Sequence, residues 1–536
     1  MYILKKSPRT LGLDEPIKHG SHKTPVTRRD FIAQGFRTGP AIVAGGAVLS
    51  AFMGRQANAA MSPTLEDYAR DVCNITAGAG KVPFICFDLA GGANLHGSEI
   101  LIGQSGNPLN FLSTQGYATL GLPGNMTPNS PNAASGTNNF INTEFGAPWH
   151  SDGAILRGML ASTQAATRAN TNAFGIAARS ENDTGNNPHN PMYGINRIGA
   201  DGELLTLIGS QNTDSGGNSM APAALMNPAA RPTKVDRASD VTGLVDTGEL
   251  STLFSNPDDA IAVLESMTRL GHRKANVVLP KLATGDDDRD VRELVKCGYT
   301  KSTYLADRFR TPAALNPDLD AEIVGPTGIF TQAEYNGDGE FRKAAAVMKM
   351  VINGYAGAGT VTMGGYDYHG QGRNTGETRN FRAGRCIGAV LEYARRRNKP
   401  VMVYVFSDGS LSANGMVNNT VEGRGKLDWA SDNQSTASSI VLVHRPAGRV
   451  AFRDPNRQQI GSMSAGGAAV TTSSPAANSV NLLVETLLLN YMALHGEEGN
   501  FDQAAFFPRH GLGGTAARDA LTIFAPVCNG TVSSPV

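Results

Sequence analysis

The sequence predicts an α/β fold in which a largely parallel sheet carries helices on both faces. Short apolar runs rich in β-branched and aromatic residues recur along the chain, as is typical of buried strands. In the last third of the chain these runs alternate with segments of helical periodicity, which is the pattern of parallel βαβ units. Hydrophobic residues make up 40% of the 536 residues. A sizeable core is therefore possible, and fibrous and fully disordered classes are excluded.

Five segments are predicted strands. The first reads KVPFICFDL and ends at the turn Gly91-Gly92, while the last directly precedes His444. In chain order the predicted strands are 81–89, 173–177, 360–363, 401–406 and 439–443. We expect all of them except 173–177 to be parallel neighbours in one sheet, because each is a short apolar run and helices separate the later ones.

The predicted helices have apolar residues spaced to lie on one face. In chain order they cover 152–168, a charged helical region at 257–310, 335–353, 377–397 and 475–494. Between them lie long loops rich in Gly, Asn, Ser and Thr, at 97–148 and 180–190. We expect a single domain over 60–536 with a helical insertion at about 250–330.

Residues 1–59 have the features of a twin-arginine export signal. Arg28 and Arg29 precede an apolar run of 13 residues at 41–53, and Ala57 and Ala59 form an A-x-A cleavage pattern. The run is too short for a bilayer span of ~20 residues, and no later segment reaches 18 apolar residues. We therefore expect export by the Tat machinery, a periplasmic or extracellular (cell-surface) location, and no stable membrane span.

Charge and cysteine content exclude several classes of protein. The 47 basic residues balance the 47 acidic ones, so no net positive field attracts nucleic acid, and a nucleic-acid partner is not expected. The five Cys are too few for a disulfide-rich miniature scaffold, and no C-x-x-C occurs. Because five is odd, at least one thiol stays free or pairs between chains.

Acidic residues and a histidine follow three of the predicted strands. Asp88 ends the first, Asp367 and His369 follow the strand at 360–363, and Asp408 follows the strand at 401–406. Ligands bind at the carboxyl ends of parallel strands, and carboxylate and imidazole groups suit divalent cations. The alternative for each residue is a structural one, since an Asp after a strand often closes a turn or caps a helix.

The export signal, the Gly-Gly turn after the first strand and the Gly-Gly-aromatic-Asp-x-His loop resemble a known family. It is a family of Tat-exported bacterial proteins of uncharacterised function in the alkaline phosphatase and sulfatase superfamily. The matching segments are 88–94, 188–190, 364–369, 406–409 and 431–433. The resemblance implies a three-layer α/β/α sandwich with long loop insertions and a metal-assisted hydrolase site for phosphate or sulfate esters. It also implies a small anionic ester or a polysaccharide as substrate.

The resemblance assigns roles to individual residues. It implies a divalent metal cofactor, with the metal ligands Asp88, Asp367, His369, Asp408 and Asp432. It further implies catalytic or substrate-contacting roles for His189 and for Asn94, which stands where the family usually has Asp.

The chain departs from the family pattern at two further segments. An Arg is missing at 407–410 and a His at 431–434, for which His444 is a substitute unless it only begins the turn before Pro446. A site with fewer ligands favours one cation over two. It also leaves open a secreted binding or assembly protein that keeps the fold without the chemistry.

We predict that replacing Arg28 and Arg29 together by Lys leaves the precursor in the cytoplasm, because the paired arginines are what the export receptor reads. Cell fractionation and N-terminal sequencing check this. Normal accumulation of a mature protein that starts near Ala60 outside the cytoplasm would contradict the assignment of the signal.

Overall fold

The computed structural model of the protein describes residues 61–73, 75, 80–128, 139–180, 187–245, 257–277, 285–370 and 372–536, so the predicted signal at 1–59 lies outside the described residues. The strands are β1 (Phe84–Leu89), β2 (Ile141–Asn142), β3 (Trp149–His150), β4 (Thr171–Ala177), β5 (Leu205–Gly209), β6 (Thr233–Lys234), β7 (Ala356–Met363), β8 (Val401–Ser407), β9 (Leu411–Val417), β10 (Leu427–Asp432), β11 (Ser438–His444), β12 (Gln459–Ile460), β13 (Cys528–Asn529) and β14 (Thr531–Pro535).

The α-helices are α1 (Pro63–Asp71), α2 (Thr114–Thr119), α3 (Ala154–Ser162), α4 (Ala165–Ala169), α5 (Met192–Arg197), α6 (Ala238–Thr242), α7 (Pro257–Val277), α8 (Gly285–Arg308), α9 (Gln332–Gly337), α10 (Gly339–Ile352), α11 (Arg373–Arg396), α12 (Val480–Leu494) and α13 (Thr515–Leu521). Each predicted helix is present. Several are divided in two, as at Asp338, whose extended backbone ends α9 and whose side chain caps α10.

Eight strands form one sheet in the order β12-β4-β11-β8-β1-β7-β5-β6. In it, β1 is paired in parallel with β7 on one side and β8 on the other. Among the described strands of this sheet, the antiparallel pairings are the two that β11 makes with β4 and β8. The predicted α/β sandwich with a largely parallel sheet is therefore confirmed.

The predicted parallel direction of the strand at 439–443 is wrong, because β11 runs antiparallel to β8. The prediction assumed that a helix carries the chain back across the sheet before this strand. Instead, β9 and β10 form an antiparallel hairpin that pairs Leu411 with Asp432 at its base. A hairpin begins and ends at the same edge, so the next strand of the sheet runs back from the edge where β8 ended.

Strand β7 shows why helices cover both faces of the sheet. Ala358 belongs to a hydrophobic cluster that includes Leu483 and Leu487 of α12. The next residue, Gly359, faces the opposite layer, where an added Cβ would lie 2.5 Å from Val347 of α10. Successive side chains of a strand point to opposite faces, so an all-buried strand needs a helical layer on each side.

Helices α3 and α11 pack on one another at very short range. A Cβ on Gly158 would lie 2.2 Å from the carbonyl oxygen of Phe381, and one on Gly384 would lie 2.1 Å from that of Ile155. Any side chain at either glycine would overlap backbone atoms of the other helix. These two glycines therefore set the distance between the helices of this layer.

A buried group of charges anchors the loop after β1 to the same layer. Glu99 accepts hydrogen bonds from the Ile155 N–H and from Asn380 Nδ2, both at 2.9 Å. Burial, followed by the nearby charge of Glu377, raises the pKa of Glu99 to about 7. Burial also acts to raise the pKa of Glu377, but the charges of Lys426 and its other cationic neighbours outweigh it and lower that pKa.

Residues 61–73 and the described part of 257–310 form a separate compact unit of helices α1, α7 and α8. A disulfide joins Cys73 to Cys297, with a Cα–Cα distance of 5.4 Å. The Tyr68 hydroxyl donates a hydrogen bond of 2.5 Å to Glu293, and its ring contacts the tilted ring of His272, with centroids 4.8 Å apart. In the sequence this unit occupies most of the helical insertion predicted at about 250–330.

No helix in the described ranges combines the length and the apolar character that a membrane crossing requires.

The disulfide makes the number of reactive thiols predictable. In denaturant without reductant we expect three titratable thiols, from Cys86, Cys386 and Cys528, because Cys73 and Cys297 are bonded. After reduction we expect all five. The folded protein should react slowly, since the three free cysteines are buried. Thiol titration checks these counts, and five thiols before reduction would contradict the pairing.

Candidate metal centre

The loop after β7 presents two of the predicted ligands on one side. From Gly365 to His369 the residues alternate between exposed or half-buried and buried, with Tyr366 and Tyr368 directed inward. The Tyr366 hydroxyl donates to the carbonyl oxygen of Arg379 at 2.9 Å, which holds the loop against α11. The Tyr368 N–H donates to the Tyr366 carbonyl oxygen at 2.8 Å, which closes a turn that leaves Asp367 exposed and His369 half-buried.

The hairpin of β9 and β10 brings a third predicted ligand to this loop. Asp432 ends β10, and its carboxylate oxygen Oδ1 lies 3.0 Å from His369 Nδ1. Asp367 Oδ1 lies 2.5 Å from the same nitrogen. One ligand atom from each of the three residues can be chosen so that all lie within 4.8 Å of one another. Their side chains are 56%, 39% and 38% exposed for Asp367, His369 and Asp432.

The donor set and the geometry fit a divalent cation. His369 Nδ1 has no partner with hydrogen-bond alignment among the described residues, although both carboxylates are close to it. The carboxylate oxygens of Asp367 and Asp432 lie within 4.8 Å of each other. Two carboxylates this close repel each other unless positive charge lies between them. A tetrahedral cation with bonds of about 2.1 Å holds its ligand atoms roughly 3.4 Å apart. The separations from His369 Nδ1, 2.5 Å to Asp367 and 3.0 Å to Asp432, are shorter than this value, so the partly exposed side chains would have to move apart to admit the cation.

Asp408 lies close to this loop in the fold but has a different environment. Its Oδ1 accepts the Gly91 N–H at 2.7 Å and its Oδ2 accepts Asn218 Nδ2 at 3.1 Å. Its backbone carbonyl accepts Asn187 Nδ2 at 2.6 Å and the hydroxyl of Ser180. The residue is buried. Asp408 therefore joins three loops at the carboxyl edge of the sheet.

Asp88 is also buried, within β1, and receives donors from the loop after β5. Its Oδ2 accepts the N–H groups of Asn218 at 2.7 Å and Ser219 at 2.9 Å. The hydroxyls of Ser219 and Thr362 lie at 3.2 and 3.4 Å. Burial raises the pKa of Asp88, and the hydrogen bonds from Ser219 and Asn218 act against that rise. The five predicted ligands thus divide into a group of three and two buried carboxylates.

His189 and Asn94 occupy buried positions at the same edge. The His189 ring is 3% exposed and stacks on Phe406 with centroids 5.5 Å apart. Neither of its nitrogens has a hydrogen-bond partner among the described residues, and burial lowers its pKa to about 3, so the ring is neutral. Asn94 Oδ1 accepts the Ser98 hydroxyl at 3.4 Å, while within the described ranges its Nδ2 has no partner.

His444 lies at the other end of the strands from Asp367, where β8 begins. It ends β11 and pairs with Val401 at the start of β8. Its Nδ1 lies 3.2 Å from the hydroxyl of Thr171, the first residue of β4. The reversed direction of β11 therefore removes His444 from the loops that hold the candidate ligands, and it does not substitute for the missing imidazole.

Several residues at the carboxyl ends of the strands have no recognisable signal in the sequence. Asn218 and Ser219 carry no motif, and they lie far along the chain from Asp88, so no spacing pattern connects them to it. Arg379 lies on α11 and resembles an ordinary surface arginine in the sequence. Its guanidinium rests on Gly365, where an added Cβ would lie 1.5 Å from Nη1.

No protein-family model matches this chain, and no curated protein matches it either. Membership of the family named from the sequence motifs stays a prediction.

Removal of the buried Asp88 carboxylate should destabilise the protein much more than removal of the exposed Asp367 carboxylate. Asp88→Ala should lower the free energy of unfolding by about 3 kcal/mol, because it leaves the N–H groups of Asn218 and of buried Ser219 without their acceptor. Asp367→Ala should change it by less than about 0.5 kcal/mol, since that side chain is exposed. Urea unfolding in the presence of a chelator measures both. Equal losses in the two variants would contradict this division of roles.

Proposed function

We propose that this protein is an exported, metal-assisted hydrolase of phosphate or sulfate esters that holds a single divalent cation. The observation that carries the proposal is the convergence of Asp367, His369 and Asp432, whose ligand atoms lie within 4.8 Å of one another. They lie beyond the carboxyl ends of β7 and β8, where open α/β sheets bind ligands. The resemblance to the alkaline phosphatase and sulfatase superfamily supports the reaction class.

Each ligand has a distinct part in this site. Asp367 and Asp432 would each bind through one carboxylate oxygen, and His369 through Nδ1 as the neutral imidazole. A cation held in this way supplies Lewis-acid polarisation of an ester oxygen and lowers the pKa of a water molecule. Protein side chains provide three ligands, which is the number that catalytic sites use when a position stays open for water or substrate.

The buried residues of the edge support the site without acting as ligands in this proposal. Asp408 and Asp88 already accept hydrogen bonds from protein donors, so a second cation would have to displace these contacts. His189, as a neutral imidazole, can donate one N–H to an anionic group, and Asn94 Nδ2 offers a further donor. These are the two residues that the sequence resemblance assigns to substrate.

Export completes the proposed function. The twin-arginine motif at Arg28 and Arg29 and the cleavage pattern at Ala57 to Ala59 support a periplasmic or extracellular location. The disulfide between Cys73 and Cys297 supports the same location, because cystines form and persist in oxidising compartments. Passage through the Tat machinery in the folded state would allow the cation to be bound before export.

A second candidate is a secreted binding or assembly protein that keeps the fold without hydrolysis. The internal hydrogen bonds of Asp88 and Asp408 favour it, because they leave three ligands where the sequence predicted five. A cation in the remaining site would then organise the loop after β7 and the hairpin of β9 and β10 for a partner or a polysaccharide.

The metal content of the purified protein tests the proposal. We expect one equivalent of a divalent metal by elemental analysis, a lower melting temperature after chelation, and hydrolysis of p-nitrophenyl phosphate or sulfate. Asp367→Ala, His369→Ala and Asp432→Ala should each weaken metal affinity about 10- to 100-fold or more, because each removes one of three protein ligands. Isothermal titration with Mn²⁺ and Zn²⁺ measures the affinities.

Asp201→Ala is a matched control. Asp201 is an exposed aspartate just before β5, at the opposite edge of the sheet, and its contact is with the neighbouring N–H of Gly202. This variant should keep the metal affinity and melting temperature of the wild type. Stoichiometric metal without ester hydrolysis would favour the binding protein. A wild type that binds no metal and hydrolyses neither ester would contradict the hydrolase.

A further inference from the structure

Arg379 differs from the other arginines of α11 in its contacts. The five others each form an ion pair with a carboxylate at 3.5 Å or less; these arginines are Arg373, Arg382, Arg385, Arg395 and Arg396. Arg379 has no side-chain hydrogen bond or ion pair within the described part of the chain, and its Nη1 is shielded from solvent without an acceptor. Arg373 Nη1 and Arg395 Nε are also shielded without an acceptor, but those two arginines pair through their other nitrogens. The Arg379 guanidinium as a whole lacks a partner among the described residues, and a shielded N–H without an acceptor is unfavourable, so an added anion would satisfy it.

The guanidinium of Arg379 occupies the place where a side chain of Gly365 would lie. A Cβ added to Gly365 would be 1.5 Å from Nη1 and 2.4 Å from Cζ of Arg379. Gly365 has a φ of 81°, a left-handed conformation that glycine adopts readily. A glycine at this position therefore admits the arginine to the surface of the loop.

This placement puts the guanidinium against the loop that carries two of the candidate ligands, two residues before Asp367. Gly365 and Asp367 are both exposed, and the residue between them, Tyr366, is buried. Because Gly365 and Asp367 are two residues apart, their Cα atoms lie within roughly 7 Å of each other. An oxyanion that accepts charge-assisted N–H···O hydrogen bonds of about 2.8 Å from this guanidinium would therefore lie next to the loop that carries Asp367.

We infer that Arg379 is the residue that recognises the oxyanion of the substrate, a phosphate or sulfate group held beside Asp367. The inference rests on the proposed function, to which it adds the group that selects for a tetrahedral oxyanion. The planar guanidinium offers paired N–H donors that match two oxygens of such a group. Arg379 contributes affinity for the anion and takes no part in holding the cation.

Anion binding to the metal-loaded protein tests this role without depending on turnover. Inorganic phosphate and sulfate are titrated by calorimetry into wild type, Arg379→Gln, Arg379→Lys and Arg382→Gln, each saturated with Mn²⁺ or with Zn²⁺. We expect phosphate affinity to fall about tenfold or more in Arg379→Gln and about threefold in Arg379→Lys, which keeps the charge but loses the paired donors.

The control Arg382→Gln removes an arginine from the same helix whose partner is Asp338, at 3.5 Å. It should bind phosphate within twofold of the wild type, and Mn²⁺ and Zn²⁺ affinities should be unchanged in all three variants. Melting temperatures verify folding, and Arg379→Lys, which preserves stem and charge, gives the result if the glutamine variant is unstable.

The outcomes separate the two proposals. Unchanged phosphate affinity in both Arg379 variants, or a metal-loaded wild type that binds neither anion, would overturn the role of Arg379 and leave the metal site standing. A wild type that binds phosphate through Arg379 but binds no metal would overturn the proposed function and support the anion site. Absence of both metal and anion binding would overturn both.

Discussion

The hydrogen bond from the Gly91 N–H to Asp408 is the contact on which the carboxyl edge of the sheet depends. It joins the turn after β1 to the residue that follows β8, at 2.7 Å. Gly91 has a φ of 116°, and a Cβ there would lie 2.7 Å from the Asp367 nitrogen. The turn is therefore confined between the loop that carries Asp367 and the buried carboxylate. A side chain at Gly91 would displace either the candidate ligand loop or the hydrogen bond.

The carboxylates at this edge are divided by their access to solvent. Asp88 and Asp408 lie inside and accept hydrogen bonds from backbone and amide donors, which compensates for the cost of burying them. Asp367 and Asp432 lie outside around His369, where a bound cation can balance their charge. The inner pair connects the loops, and the outer group forms the proposed cation site. The Arg379 guanidinium, which has no partner among the residues that the structure describes, lies against Gly365 in the same loop as Asp367.

The reversal of β11 decides which residues reach this edge. Because β9 and β10 return the chain to the edge that it had just left, Asp432 ends up beside His369. For the same reason β11 runs away from the edge and takes His444 to the far end of the sheet. One hairpin in place of a crossover helix thus supplies one ligand and removes another. The buried charges around Glu99 then hold the loop after β1 against α3 and α11.

The sequence by itself determined the sheet class, five of the eight strands of the main sheet, and the pairing of Asp367 with His369. These features depend on residues close together in the chain, where apolar runs, helical periodicity and a two-residue spacing act directly on local geometry. Tertiary structure alone decided the direction of β11, the disulfide between Cys73 and Cys297, the inward roles of Asp88 and Asp408, and the position of Arg379 on Gly365. Each of these joins segments distant in sequence, and composition and periodicity carry no information about which distant donors a buried carboxylate or guanidinium will meet.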